Sequence, residues 1–422
     1  MGDIFDLSQE LAVDKEKKKG STIKVTSPQL QTGGVTLFFT SNECKESVLE
    51  TYRFEGLEEP KCIKGAPVGN KDQQLGDIVI VEMAGSIDLE ADAEEINAKL
   101  PNNKTVILIG QTDSIHTLRS LEKMGFYYLP SPVDKHELIE CLKQAGREDR
   151  KRYESGYFRK AKRVAVIGSK GGLGTSVLTT ELASLLGKKG SRTILVDHHY
   201  SSSNIDIILS QKELEQVDIG TITVEPNKLD EESATSYLFE VEHNFAYLGL
   251  TGEGTVEVLE NYTNTIANKL GRQANFIISD FSGSLDFRLD VEQIVTDNDV
   301  VIVVTEPSVS SVRATQKLLD KIKDVAIPQL TRPRVMVALN HHRPDGSFNL
   351  NAEEVERFIK TKPDIVIPFF KTAAKQLIEG KKLQALEKGK VTPFSDLTLA
   401  INGQTQKKAK SLFSFLPKRG KK

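Results

Sequence analysis

The residues best suited to chemistry fall in the stretch 163–176, RVAVIGSKGGLGTS. An apolar run of buried-strand type leads into Ser169-Lys170-Gly171-Gly172-Leu173-Gly174-Thr175-Ser176, and good helix formers follow at Leu178, Glu181, Leu182 and Ala183. Between a strand and a helix, the pattern G-x-x-x-x-G-K-[ST] cradles nucleotide phosphates. Its glycines let backbone N–H groups approach the oxygens, the helix start adds its dipole, the Lys reaches the outer phosphates and the hydroxyl binds Mg²⁺. Gly174 and Ser176 fit this pattern, Ser169 stands for the opening Gly with Gly168 just before it, and Thr175 occupies the place of the Lys. A plain glycine turn would suffice only if no other chemistry converged on the loop.

Other candidates do converge on it. Asp197 closes TILVD (193–197) and Asp280 closes NFIISD (275–280). A strand-terminal carboxylate can hold Mg²⁺ through water or orient a nucleophile, although Asp197 alone could equally cap a helix. Asn340, ending RVMVALN (334–340), suits either a ligand contact or a turn. The adjacent His198 and His199 read as two polar residues in an exposed loop, in preference to a base or a metal ligand.

The elements that must position these residues form two alternating series. VTLFF, DIVIV, TVILI and FYYL, between 35 and 146, alternate with helical stretches, and a charged segment at 147–162 reads as a linker. From 163 to 404 the runs VAVIG, TILVD, FAYLGL, NFIISD, VVIVVT and RVMVALN lack polar alternation, the mark of parallel strands covered on both faces. The expected fold is therefore α/β throughout, two parallel-sheet domains with the second doubly wound. Ligands in such sheets bind beyond the carboxyl ends of the strands, where the loop and both acids stand. Residues 1–34 read as a flexible leader and 405–422 as a basic tail.

The chain has 422 residues and a formal charge of −3, so it carries no global attraction to nucleic acid. Cys44, Cys62 and Cys141 lack metal-type spacing and read as small buried hydrophobes in a reducing cytoplasm. The start has no export signal and no run of eighteen apolar residues occurs, so membrane contact must be peripheral. In the tail, QKKAKSLFSFLPKRGKK has seven basic and no acidic residues, with Leu412, Phe413, Phe415 and Leu416 on one side of a short helix. Lys407–Lys422 thus suits an anionic inner-membrane surface, or a solubilising tail that meets acidic partners.

The sequence K-G-G-L-G-T-S resembles the deviant phosphate loop of the MinD/ParA class of nucleotide switches, and the likeness runs over about 163–400. VVIVVTEPSVSSVRATQKLLDKI (300–322) is similar to that family's strand-to-helix passage. The resemblance implies ATP and Mg²⁺ as cofactors, Gly171 to Ser176 as phosphate contacts, and Ser176, Asp197 and Asp280 at the metal. It also implies Asn340 and Pro368 beside the base, and Lys170 reaching across a homodimer to the partner's phosphates. The chain departs from the family at Thr175, at His199 in place of the second acid of D-x-D, and at Ser282 beyond Asp280. Losing the Lys and the second acid should suppress hydrolysis more than binding.

The series 35–146 resembles a response-regulator receiver of flavodoxin-like fold. Glu82 stands at the end of DIVIVE, where the phospho-accepting Asp belongs, FFTSNE lacks the acidic pair, and Ser131 replaces the usual Lys. The resemblance implies an atypical receiver that binds proteins and is not phosphorylated. A receiver-like domain ahead of a MinD/ParA-like domain resembles the TadZ/CpaE proteins of type IVb (Tad, Flp) pilus assembly. That implies a cytoplasmic localisation factor, often polar, with ATP-held dimers and Tad machinery as partners. An active membrane-cycling ATPase of the Min type, or a ParA-like DNA-partitioning ATPase, are the alternatives.

Overall fold

The computed structural model describes residues 34–67, 75–146, 159–283, 289–326, 333–387 and 392–403. The leader but for Gly34, most of the linker segment and the basic tail lie outside the described residues.

Five strands build the first sheet: β1 (Val35–Phe39), β2 (Lys61–Lys64), β3 (Ile78–Glu82), β4 (Thr105–Gly110) and β5 (Tyr127–Pro130). They are all parallel in the order β2-β1-β3-β4-β5, the flavodoxin-like order. Alternate side chains of each strand enter different cores. Leu37, Ile78, Ile80, Ile107 and Ile109 meet Val48, Tyr52, Leu138 and Leu142 from helices Asn42–Glu55 and Lys135–Gly146. Phe38, Val79, Val81, Val106 and Leu108 meet Ala93, Ile96 and Leu121 from helices Leu89–Lys99 and Ile115–Lys123. The continuous apolar runs follow from this covering of both faces. Strand β2, with the sequence KCIK, was hidden in the sequence because it is a half-exposed edge flanked by lysines.

Nine further strands are β6 (Lys162–Gly168), β7 (Thr193–Asp197), β8 (Val217–Asp218), β9 (Phe239–Glu242), β10 (Phe245–Thr251), β11 (Phe276–Phe281), β12 (Val300–Thr305), β13 (Arg334–Asn340) and β14 (Ile365–Ile367). The order is β14-β13-β12-β6-β11-β7-β10-β8; β9 pairs antiparallel with β10 and every other pairing is parallel. One face packs under helix Thr175–Lys188 through Leu178, Leu182 and Leu186. The other is covered in part by helix Val309–Ala326 and in part by helix Val256–Leu270. The chain runs from central β6 outward past β11 to β7, then returns to β11 and crosses β6 to reach β12. The turn after β6 therefore lies at the switch point, where two crossovers diverge and leave a crevice.

All described residues belong to one compact unit, Thr32–Lys422. Arg159, inside the segment expected as a linker, is only 3% exposed and fastens the two sheets' surroundings together. It donates to Asn97 Oδ1 at 2.7 Å, to the carbonyls of Asn97, Leu100 and Pro101 at 3.1, 2.6 and 3.0 Å, and to Asn102 Oδ1 at 3.0 Å. Asn275 Nδ2 donates to the same Asn97 and Leu100 carbonyls, and Ser191 Oγ to that of Ala98. The last carbonyls of helix Leu89–Lys99, which lack intrahelical donors, are thus capped by side chains that immediately precede β6, β7 and β11. Burial pulls the Arg159 guanidinium down to about 9, still cationic at neutral pH.

This junction sits at the amino ends of β7 and β11, away from the carboxyl ends that carry the candidate site. Arg159→Met is expected to lower the unfolding free energy by about 2–4 kcal/mol, because buried carbonyls lose a charged donor. An unchanged urea midpoint would refute the capping role.

Candidate nucleotide-binding site

The loop after β6 is held by three contacts. Ser169 N–H donates to the Val304 carbonyl at 3.0 Å, Ser169 Oγ lies 2.9 Å from Ser311 Oγ, and Asn340 Nδ2 donates to the Leu173 carbonyl at 2.8 Å. Gly172 and Gly174 have φ of 73° and 77°, the left-handed region that favours glycine. A Cβ on Gly174 would also come within 2.8 Å of Asn340 Nδ2, whereas one on Gly172 would meet nothing within 4 Å. The outer side of the loop is therefore open. Helix Thr175–Lys188 starts at Gly174 with no side-chain cap, so its first N–H groups have no side-chain acceptor. An open glycine cradle at an uncapped helix start fits a polyphosphate.

Thr175 lies elsewhere. It is 4% exposed, and its Oγ1 would be 2.6 Å from a Cβ on Gly168, so the side chain folds back over the end of β6. It brings no charge to the cradle. Ser176, one residue on, hydrogen-bonds Asp280.

Asp197 and Asp280 are both fully buried and pair in register across β7 and β11. Asp280 accepts from Ser282 N–H and Oγ, both at 3.1 Å. Asp197 accepts from His199 N–H and from the Tyr247 hydroxyl, both at 2.9 Å, and from Ser203. Burial, followed by the charge of Asp197, pushes Asp280 up to about 7. Burial raises Asp197 as well, against the opposing hydrogen bonds of Ser203, His199 and Tyr247. Two buried carboxylates so placed resist ionising together, and a bound cation would relieve that. The donors Ser176, Asp197 and Asp280 are all oxygen, the set that suits Mg²⁺ alongside phosphate and water. Among the described residues no group of three His, Cys, Asp or Glu could hold a metal ion by itself.

Asn340 and Pro368 stand at the same edge, since β13 and β14 bring Asn340 opposite Ile367, just before Pro368. The Asn340 amide secures the loop itself. Lys170 Nζ lies 2.5 Å from Glu306 Oε1, with Ser310 Oγ at 3.2 Å.

The two histidines part company. His198 is 1% exposed, stacks on Phe281 at 4.1 Å and bonds Tyr200 Oη through Nδ1 at 2.9 Å, which corrects the expectation of an exposed loop. The cause is tight closure of the ends of β7 and β11, where a Cβ on Gly283 would sit 3.1 Å from the His198 carbonyl. His199 is half-buried. Tyr247 was not legible as a site residue, because FAYLGL reads as plain strand. Gly249, two residues on and so on the same face, leaves space for its hydroxyl and was the available signal.

In the first sheet Glu82 is equally engaged. Its Oε2 accepts from Thr40 and Ser41 N–H at 2.6 and 2.8 Å, and its Oε1 from Ser41 Oγ at 2.5 Å. Ser41 Oγ in turn caps helix Asn42–Glu55 by accepting from Cys44 N–H at 3.1 Å.

Residues 159–339 match the family model of ParA, described as NUBPL iron-transfer P-loop NTPase. An uncharacterized protein of Methanocaldococcus jannaschii is 23% identical over 239 residues, which cover 52% of this chain and 88% of its own. A ParA family ATPase from Chlorobium tepidum covers 57% of this chain and 98% of its own at 21% identity and a TM-score of 0.47. The septum site-determining protein MinD of Pyrococcus horikoshii, solved with Mg-ADP, covers 57% and 96% at 18% identity and a TM-score of 0.45. Residues 159–339 are thus similar to a ParA-type P-loop NTPase domain.

Burial lowers His198 from 6.5 to about 3, so folding favours its neutral form. Below pH 6.5 the unfolded chain binds a proton there that the native chain refuses, and stability is lost as the pH falls toward 3. Asp280 has the opposite sign: raised from 3.8 to about 7, it loses stability as the pH rises through that window, so the two partly cancel. The difference between the unaltered chain and His198→Phe isolates the histidine. The unaltered chain should lose up to about 1.4 kcal/mol per pH unit relative to the variant between pH 6 and 4. Denaturant unfolding at several pH values checks this, and a pH-independent difference would refute it.

Proposed function

We propose that the chain binds Mg-ATP, dimerises with it, hydrolyses it slowly or not at all, and serves as a localisation and assembly factor. The observation that carries this reading is Thr175, turned back over Gly168 while the glycine cradle beside it stays open. Binding rests on backbone N–H groups, Ser176 and the buried acids, all of which remain. Hydrolysis needs positive charge where the transferred phosphate gains negative charge, and residue 175 supplies none. It also needs an oriented water, and the second acid of the D-x-D pattern that would orient one is His199 here. Bound Mg-ATP would supply the phosphate charge that draws Lys170 and a cation to offset the charge of Asp197 and Asp280.

The machine served is a type IVb (Tad, Flp) pilus, on the resemblance to TadZ/CpaE proteins. Two features support that reading. A flavodoxin-like sheet precedes the ParA/MinD-like domain and is locked to it through Arg159, and Glu82 is bound to Thr40 and Ser41, as expected of a receiver that takes no phosphoryl group. The chain acts in the cytoplasm, often at a pole, with Lys407–Lys422 meeting the inner membrane. Among the described residues no helix is long and apolar enough to cross a membrane.

Equilibrium ATP binding and phosphate release on one purified sample test the nucleotide reading. Binding is expected with negligible turnover, and Thr175→Lys should raise turnover by about one to two orders of magnitude. Rapid turnover by the unaltered chain would favour an active Min-type switch and overturn it. Removing the chain from its host should abolish surface pili, and unchanged piliation would end the pilus reading.

A further inference from the structure

Glu306 follows β12 at the mouth of the cradle, with its side chain only 2% exposed and more than one cation upon it. Lys170 Nζ is 2.5 Å from Oε1, and Ser308 Oγ donates to the same oxygen at 2.9 Å. Arg343 Nη2 is 3.3 Å from Oε2. Burial alone would raise this carboxyl, but the hydrogen bonds of Lys170 and Ser308 and the charges of Lys170 and Arg343 outweigh it and lower it, so Glu306 is an anion. His342 Nε2 lies 3.4 Å from Oε2 but accepts from Arg343 Nε at 3.0 Å, and burial holds the imidazole below its ordinary range. It is therefore a neutral spacer, and two full cations share one buried charge.

The two cations come from different places. Lys170 belongs to the phosphate loop, and its side chain is 32% exposed. Arg343 follows β13, three residues beyond the Asn340 that holds the loop, and is 52% exposed. A buried carboxylate that loses its sole cation is strongly destabilised, whereas one that keeps a second is not. The surplus cation has no structural necessity. Neutralising Glu306 needs one.

We propose that Arg343 is a positioning residue for Lys170: by remaining on Glu306 it lets the lysine leave for a phosphate without stranding a buried charge. This rests on the nucleotide reading above and adds what sets the lysine's availability. Without Arg343, Glu306 holds Lys170 as its single counter-ion, and the loop's remaining cation stays tied down.

ATP-dependent self-association of the full chain, followed by sedimentation velocity, tests it. Arg343→Ala should weaken that association by about tenfold, and adding Glu306→Gln should bring it back to within about twofold, because the neutral amide no longer needs a cation. In a background of Lys170→Ala with Glu306→Gln, where no buried charge is left to strand, Arg343→Ala should have no further effect, the mark of residues acting through one charge. If Arg343→Ala associates normally, or if Glu306→Gln fails to restore it, the proposal is overturned; a variant that merely misfolds would not be rescued. If the unaltered chain shows no response to ATP, the functional reading itself falls and takes this role with it.

Discussion

Two carboxylates buried side by side constrain the whole carboxyl edge of the larger sheet. Parallel pairing of β7 with β11 puts Asp197 opposite Asp280, out of water, where neither can ionise freely beside the other. Their surroundings answer that difficulty: Tyr247, Ser203 and the His199 N–H on one, Ser176 and Ser282 on the other. Gly249 leaves space for the tyrosine hydroxyl, and Gly283 lets the strand ends close. Even so the hydroxyls do not restore ordinary acidity to Asp280. The site is held in a form that a divalent cation would complete.

In both α/β sheets a polar side chain at or just beyond a strand end is turned inward. Thr175 lies against Gly168, and Glu82 is bound by Thr40 and Ser41. The backbone cradle, by contrast, cannot be withdrawn by changing one side chain, because its donors are main-chain N–H groups set by Gly172 and Gly174. That asymmetry between backbone and side chain is the physical basis of the proposed separation of binding from turnover.

The junction around Arg159 adds a second constraint. Capping the end of helix Leu89–Lys99 from residues that precede β6, β7 and β11 fixes the first sheet's surroundings to the amino edge of the second. The carboxyl edge, with the cradle and Glu306, stays clear of that contact. A charge-dense segment conceals such a role in a sequence. Arg159 sits among many cations, and nothing local distinguishes the one that will be buried.

The sequence by itself determined the α/β class, the central strand and its glycine loop, and the two acids at strand ends, because apolar runs and left-handed glycines are local requirements of the backbone. Only the tertiary structure decided where Thr175 and Glu82 turn, that His198 is buried on Phe281, that Tyr247 reaches Asp197, and that Glu306 gathers Lys170 and Arg343 from segments more than 160 positions apart. These are consequences of strand order and register. A chain's local pattern limits which strands form, but packing decides which strand ends meet, and charge and burial at those ends follow from that meeting.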